Sequence, residues 1–262
     1  MALNVFFLSV LQGVSEFLPI SSSGHLVIAE RLLGISEPGL RLEICLHLGT
    51  LVSIVLFYRK TLLSLFGKCF SKSSLARIEG WMFVAKIVLS ALPAVLVYFL
   101  FPSQIENLAK NVKMVGALLM FTGAILCGTR YMPKGSKGIS FARALFMGVG
   151  QAIALLPGVS RSGTTLAFAR GAGAEPEKSA EFSFLMSAPL IAGGFLLELK
   201  SALSGASAAG DVSWPMLAVG MAVSAAVGYL SLAFLVKTLK GRFFWLFGPY
   251  CFVAGLCVLL FL

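Results

Sequence analysis

The sequence predicts an all-α integral membrane protein, an inverted-topology repeat with six full transmembrane helices and two re-entrant helical hairpins, ten helical segments in all. Three observations lead there. The chain of 262 residues is 58% hydrophobic and only 12% charged, about half the charged share of ordinary soluble domains. Two apolar stretches, 2–34 and 143–173, are each broken by a proline and a polar turn, so neither half of either crosses a bilayer unaided. Finally, Ser21-Ser22-Ser23-Gly24 aligns with Ser160-Arg161-Ser162-Gly163, and an apolar helix opening with Glu43 or Glu181 follows each about twenty residues later. Three spans, an odd number, separate the two hairpins, so the halves take opposite orientations and the hairpins enter from opposite faces. The chain is read as one membrane domain, 1–262, with repeat one at 1–130 and repeat two at 141–262.

Residues 2–17 form an apolar helix whose polar pair, Gln12 and Glu16, lies four residues apart and so shares a face. At 1.5 Å per residue it covers roughly 24 Å, short of the ~30 Å hydrocarbon core. Pro19 ends it, Ser21 to His25 turn the chain, and a shorter apolar piece reaches Gly34. Leu42 to Tyr58 is a full span entering a basic loop with Arg59, Lys60, Lys68, Lys72 and Arg77, which the positive-inside rule makes cytoplasmic. That loop, 59–79, reads as a solvated basic face near anionic lipid. Trp81 to Phe101 crosses outward, with Trp81 and Tyr98 as interfacial anchors, and Met114 to Thr129 returns to the basic residues Arg130, Lys134, Lys137 and Arg143.

Ala144 to Leu156 is again short, roughly 20 Å as a helix, and breaks at Pro157 to Thr165 before a second short piece runs to about Gly173. Ser179 to Leu199 then crosses outward, Trp214 to Val236 returns to Lys237, Lys240 and Arg242, and Phe243 to Leu262 ends outside. Both termini are therefore expected outside. The net charge of +10 is spread over short loops, which reads as topological charge and gives no nucleic-acid face. The five cysteines lie mostly in apolar runs without metal-ligand spacing and read as core thiols. The start, Met1-Ala2-Leu3-Asn4, lacks a basic segment, and Gln12 and Glu16 interrupt the run after it, so a cleaved signal peptide is not expected.

Polar groups in hydrocarbon must find partners inside the protein, which makes the two turns candidates for a site. Broken helices of inverted repeats put such sites near the midplane, where the breaks meet. If the tips meet, the pocket holds Gln12, Glu16, Ser21, Ser22, Ser23, His25, Ser160, Arg161, Ser162, Thr164 and Thr165. Arg161 and two converging helix N-termini suit a phosphate-like anion. Glu16 beside an anion would be repelled unless it binds a cation or acts in protonated form, so a divalent cation is a natural complement. His25 can act as nucleophile or as general acid and base, and a serine hydroxyl competes as nucleophile. His47 reads as a satisfied core histidine, and Glu43 and Glu181 as hydrogen-bonding braces of the hairpins.

Gln12-Gly-Val-Ser-Glu16-Phe-Leu-Pro19-Ile-Ser-Ser-Ser-Gly-His25 and Pro157-Gly-Val-Ser-Arg-Ser-Gly-Thr-Thr165 resemble the two signature regions of the bacterial undecaprenyl-diphosphatase (bacitracin-resistance) family. The likeness extends to Glu43 with its Leu-Gly-Thr continuation and to Glu181-Phe-Ser-Phe. It implies a multi-pass enzyme of the bacterial plasma (inner) membrane, with its site on the outer side. The implied reaction hydrolyses undecaprenyl diphosphate to undecaprenyl phosphate and inorganic phosphate, recycling the lipid carrier for peptidoglycan, with bacitracin resistance as a consequence. A divalent cation, Mg2+ or Ca2+, is the implied cofactor. By motif position Glu16, Ser22, His25 and Arg161 form the core of the site, and Gln12, Ser160, Ser162 and Thr165 support it. Gln12 stands where the family also uses an acidic residue, which puts more of any metal binding on Glu16. Attack by Ser22 assisted by His25 is the preferred mechanism, with attack by His25 or by water left open.

Two further classes compete. A lipid phosphatase of the K-x6-R-P, P-S-G-H and S-R-x5-H-x3-D type needs a histidine after Arg161, and His25 and His47 are the only two in the chain. A polyprenyl-phosphate transporter or flippase would also suit inverted repeats with broken helices. A homodimer is left open.

Overall fold

The computed structural model describes residues 2–34, 40–133, 135–203, 212–241 and 243–262. Met1, Lys134 and Arg242 lie outside the described residues, as does the side chain of Lys240. The described chain is helical throughout: α1 (Ala2–Phe17), α2 (Ser22–Leu33), α3 (Leu40–Phe57), α4 (Arg59–Cys69), α5 (Ser74–Leu100), α6 (Pro102–Lys110), α7 (Val112–Gly128), α8 (Phe141–Ile153), α9 (Arg161–Gly171), α10 (Pro176–Leu203), α11 (Trp214–Lys240) and α12 (Phe247–Phe261).

Five stretches among the described residues are long and apolar enough to cross a bilayer: Ser74–Leu100, Val112–Tyr131, Pro176–Leu196, Trp214–Leu239 and Phe244–Phe261. A sixth is reached by joining Leu42–Phe57 to Arg59–Cys69 across a bend of 70°. The protein is accordingly a multi-pass membrane protein. α1 and α8 are apolar but short. Large apolar side chains such as Leu92, Leu96 and Phe99 of α5 are exposed, as lipid-facing residues are.

The basic stretch expected to be a solvated loop is in large part the helix α4. Leu62, Leu65 and Cys69 recur at helical spacing and turn inward while the lysines stay outside. α4 lies so close on α5 that a Cβ on Gly80 would come within 2.8 Å of the Cys69 backbone nitrogen. Lys68 and Glu79 pair across this contact at 3.0 Å. The pair is half exposed and contributes little.

The main apolar cluster gathers Phe17, Ile54, Tyr58, Phe184, Leu232, Leu235 and Phe244 where α1, α3, α10 and α11 converge. α1 crosses α11 at Gly13, whose Cβ would meet the Ser224 carbonyl at 2.9 Å, and α8 crosses α5 at Gly148, whose Cβ would meet the Ser90 carbonyl at 2.4 Å. Each short helix is thus seated on a long helix of the other half of the chain. α7 and α12 meet along a glycine seam in which a Cβ on Gly255 would lie 2.4 Å from the Gly116 carbonyl. Small residues let backbones approach where apolar side chains gain little by leaving lipid.

Gly255→Val is expected to force α7 and α12 apart and cost about 1–3 kcal/mol, the usual range for overpacking. Thermal unfolding in detergent should show a lower transition temperature; an unchanged one would contradict the close seam.

Candidate active site

Two chain breaks build the site. After α1 the chain turns through Leu18 to Ile20, and Ser21 caps α2 by accepting the Gly24 N–H at 3.3 Å. Ser21 has φ of 70°, the one non-glycine residue with positive φ among those described. After α8 the chain turns through Ala154 to Val159, and Ser160 caps α9 by accepting the Gly163 N–H at 3.1 Å. Serine is favoured at both places because its oxygen satisfies an N–H the helix start leaves open. Gly158 has φ of 99°, and a Cβ there would fall 2.5 Å from the Val115 carbonyl, so only glycine fits the second turn. Thr122 of α7 pins that turn, donating to the Gly158 carbonyl at 2.9 Å and accepting the Ser160 N–H at 3.1 Å.

The tips touch. A Cβ on Gly24 would come within 3.1 Å of the Gly158 Cα, and Ser162 donates to the Leu18 carbonyl at 3.2 Å. The starts of α2 and α9 therefore converge, and the helical pattern leaves the amides of Ser22, Ser23, Arg161 and Ser162 without intrahelical acceptors. Two positive helix ends at one point favour an anion before any side chain is counted.

Glu16 is the centre of the side-chain network. It is buried, 6% exposed, and accepts from Ser22 Oγ at 2.5 Å, from Gln12 Nε2 at 3.1 Å and from the Arg161 guanidinium of the other hairpin. Beside it lies a cavity of about 240 Å³ lined by Ser15, Glu16, Ser21, Ser22, Ser23, His47, Gln151, Ser160, Arg161 and Ser187. Ala154, Leu155, Val159, Leu190 and Ile191 supply its apolar wall.

Not every expected residue faces this cavity. His25 bonds through Nδ1 to the Ser21 carbonyl at 2.9 Å and through Nε2 to the Tyr250 hydroxyl at 2.8 Å, stacking on that ring with centroids 5.7 Å apart. A carbonyl only accepts, so Nδ1 carries a proton, and in the neutral tautomer Nε2 accepts from Tyr250. His25 is not among the cavity residues, and the acceptor on the Ser22 hydroxyl is Glu16. Three further hydroxyls are spent on the fold. Thr164 donates to the Ser160 carbonyl at 2.7 Å, Thr165 donates to the Arg161 carbonyl at 2.8 Å and pairs with Ser183, and Ser162 bridges to the first tip. Gln12 is fully buried behind Glu16.

The two outlying glutamates, expected as braces of the hairpins, do not line this cavity. The backbone carbonyl of Glu43, one turn before His47, accepts from His47 Nδ1 at 2.9 Å, while its side chain is absent from the cavity wall. Glu181 lines a separate cavity with Lys60, Thr61, Ser64, Lys68 and Glu79, between α4, α5 and α10, and does not reach the hairpin tips. His47 is not simply a core histidine. With Nδ1 satisfied by Glu43, its ring forms part of the cavity wall.

Gln151 lines the cavity although the motifs do not mark it. It is 2% exposed, and neither carboxamide atom has a partner. The available signal is spacing, because Gln151 and Gln12 each lie nine residues before a capping serine. Among the described residues no group of three or more His, Cys, Asp or Glu gathers as a metal cluster. What the site offers a hard cation is the Glu16 carboxylate and, next to it, the buried Gln12 Oε1, an acceptor without a donor.

The family model described as bacitracin resistance protein BacA matches residues 5–257. The chain belongs to this family. The match contains both hairpins. Among the relatives of this BacA-family chain is an undecaprenyl-diphosphatase of Desulforapulum autotrophicum, 38% identical over 263 residues, or 95% of this chain and 94% of the relative. An undecaprenyl-diphosphatase of Pelotomaculum thermopropionicum is 38% identical over 96% of this chain and 93% of its own length. One from Methanosphaera stadtmanae is 35% identical over 98% and 97%.

Proposed function

We propose that this chain is an undecaprenyl-diphosphate phosphatase that releases the terminal phosphate and returns undecaprenyl phosphate to use as a glycan carrier. The observation that carries the reading is the Ser22 hydroxyl held on the buried Glu16 carboxylate, with Arg161 of the other hairpin on the same carboxylate. The curated relatives that bear the diphosphatase name add to it.

In this reading the diphosphate enters over the two helix starts and takes Arg161 from Glu16. Glu16 is then free to accept the Ser22 proton. Ser22 Oγ bonds to the terminal phosphorus, the bond from that phosphorus to the bridging oxygen breaks, and undecaprenyl phosphate leaves. Water then cleaves the seryl phosphate and releases inorganic phosphate. Positioning and charge stabilisation supply most of the rate, as in phosphoryl transfer generally. Arg161 and the amides at the starts of α2 and α9 provide both. His25 has a supporting part, since its ring holds the Ser21 carbonyl and with it the cap of the helix that carries Ser22. Leu155, Leu190 and Ile191 offer the prenyl tail an apolar path.

A divalent cation, Mg2+ or Ca2+, would be held by Glu16 and Gln12 with oxygens of the substrate, the sparse protein shell that Mg2+ commonly takes. When bound it neutralises phosphate charge.

For topology, we propose six spans with α1–α2 and α8–α9 as re-entrant hairpins from opposite faces, each in one repeat of an inverted pair. The shortness of α1 and α8 supports this, as does their seating on α11 and α5 of the opposite half. The loops at 130–143 and 237–243 would be cytoplasmic, both termini outside, and the cavity open outward. Arg130 stacks on Trp245 at 4.5 Å, which brings those two basic loops to one end of the molecule.

Purified protein in detergent, with no gradient to drive carriage, should release phosphate from undecaprenyl diphosphate and, with terminally labelled substrate, yield phosphoserine at Ser22. Ser22→Ala should lose turnover at least as far as the factor of about 10²–10⁴ typical of a lost proton-transfer group, and excess chelator should abolish turnover until Mg2+ or Ca2+ is restored. Phosphohistidine, or full activity in chelator, would overturn the respective assignment. In intact cells an impermeant maleimide should label Lys113→Cys above the unsubstituted background and leave Lys137→Cys unlabelled; the reverse pattern would invert the topology.

A further inference from the structure

We propose that Gln151 is a substrate-binding residue that grips the lipid-side phosphate of the diphosphate, an inference that rests on the phosphatase reading above. Its carboxamide is almost wholly buried, at 2% exposure, yet neither Nε2 nor Oε1 has a partner. An unpartnered buried amide is costly, and native proteins hold few of them. Those that persist at a cavity wall call for a group that arrives later.

Comparison with the other hairpin explains why this glutamine stands open. Gln12 occupies the same place, nine residues before a capping serine, and spends its Nε2 on Glu16 four residues later at 3.1 Å. Four residues after Gln151 stands Leu155, which has no acceptor to offer. The first glutamine is tied to the carboxylate that serves Ser22, and the second is left for the ligand.

The chemistry fits a phosphate group. Nε2 carries two N–H donors for phosphate oxygens, and Oε1 can accept from a protonated phosphate oxygen or from water. A neutral amide holds a phosphate in either ionisation state, whereas a second cation would compete with Arg161 for Glu16. The position points to the phosphate that stays on the lipid. Gln151 and the apolar wall residues Leu155, Leu190 and Ile191 all come from the second half of the chain, while Ser22 and Glu16 come from the first hairpin. That phosphate is the leaving group and gains negative charge as the bridging bond breaks, so a donor on it acts in the transition state as well as in binding, and its loss lowers kcat/KM.

The test compares the full-length parent with Gln151→Leu and Gln151→Glu in detergent. Gln151→Leu removes both polar atoms and no protein hydrogen bond, so the substrate-free unfolding temperature should be unchanged or higher. kcat/KM for undecaprenyl diphosphate should fall about 10- to 100-fold, the range for a bond to a charged group. Gln151→Glu keeps the shape and adds a repelling charge, so its kcat/KM should fall at least as far. A methylene-diphosphonate analogue of the lipid should raise the parent's unfolding temperature and shift both variants less. A kcat/KM within threefold of the parent, or an equal thermal shift by the analogue, overturns the assignment. A lowered substrate-free unfolding temperature in both variants also overturns it, because that is the mark of a structural glutamine. If the parent binds the analogue but releases no phosphate, the phosphatase reading fails while the analogue shifts still decide on Gln151.

Discussion

A single carboxylate buried among apolar helices sets the terms for this protein. Glu16 is an ion in a place where burying an isolated charge would cost many kcal/mol. Arg161, Ser22 and Gln12 together answer that cost. Arg161 belongs to a hairpin 145 residues away in sequence, so satisfying Glu16 requires both halves of the chain to arrive at one point. The glycine crossings of α1 on α11 and of α8 on α5, and the Thr122 clamp on the second turn, serve that meeting.

The same constraint explains how a resting site can be stable and still open to an anion. Arg161 and two helix starts would attract phosphate, and in the free protein Glu16 takes part of that place. In the proposed reaction a diphosphate would displace one carboxylate from one guanidinium without creating an unpaired cation. The Ser22 hydroxyl, already bonded to that carboxylate, would then be the group next to the bound phosphorus, and binding and activation would be one exchange of partners.

Much of this is legible in the sequence because a polar or charged residue inside an apolar run is costly there unless it meets a partner or a ligand. Glu16, Arg161 and the serines of the matched turns stand out by residue type alone, and the charged loops divide the spans. What escapes a linear reading depends on rotation about helix axes and on distant partners. Ser22 and His25 are three residues apart, which places them on neighbouring faces of α2, but Tyr250, 225 residues on, draws the imidazole to α12. Thr164 and Thr165 read as ligands because they are polar, yet the helix start consumes their hydroxyls through carbonyls one turn back. His47 resembles core in sequence since its backbone partner, Glu43, is local; that its ring edges the cavity follows only from how α3 lies against the first hairpin. Gln151 is legible in the nine-residue spacing and hidden by the leucine that replaces a carboxylate after it. The bend at Tyr58, which turns α4 across α5, leaves a run of basic and apolar residues that hydropathy alone reads as a loop.

Glu16 and Arg161 join two separate hairpins into one site, and a double-mutant cycle on that pair puts this to the test. Unfolding free energies in detergent would be measured for the parent, Glu16→Gln, Arg161→Gln and the double variant. The two losses should not add, with a coupling of about 0.5–3 kcal/mol as for groups in direct contact. Losses that add to within about 0.5 kcal/mol, the behaviour of distant and independent sites, would contradict it.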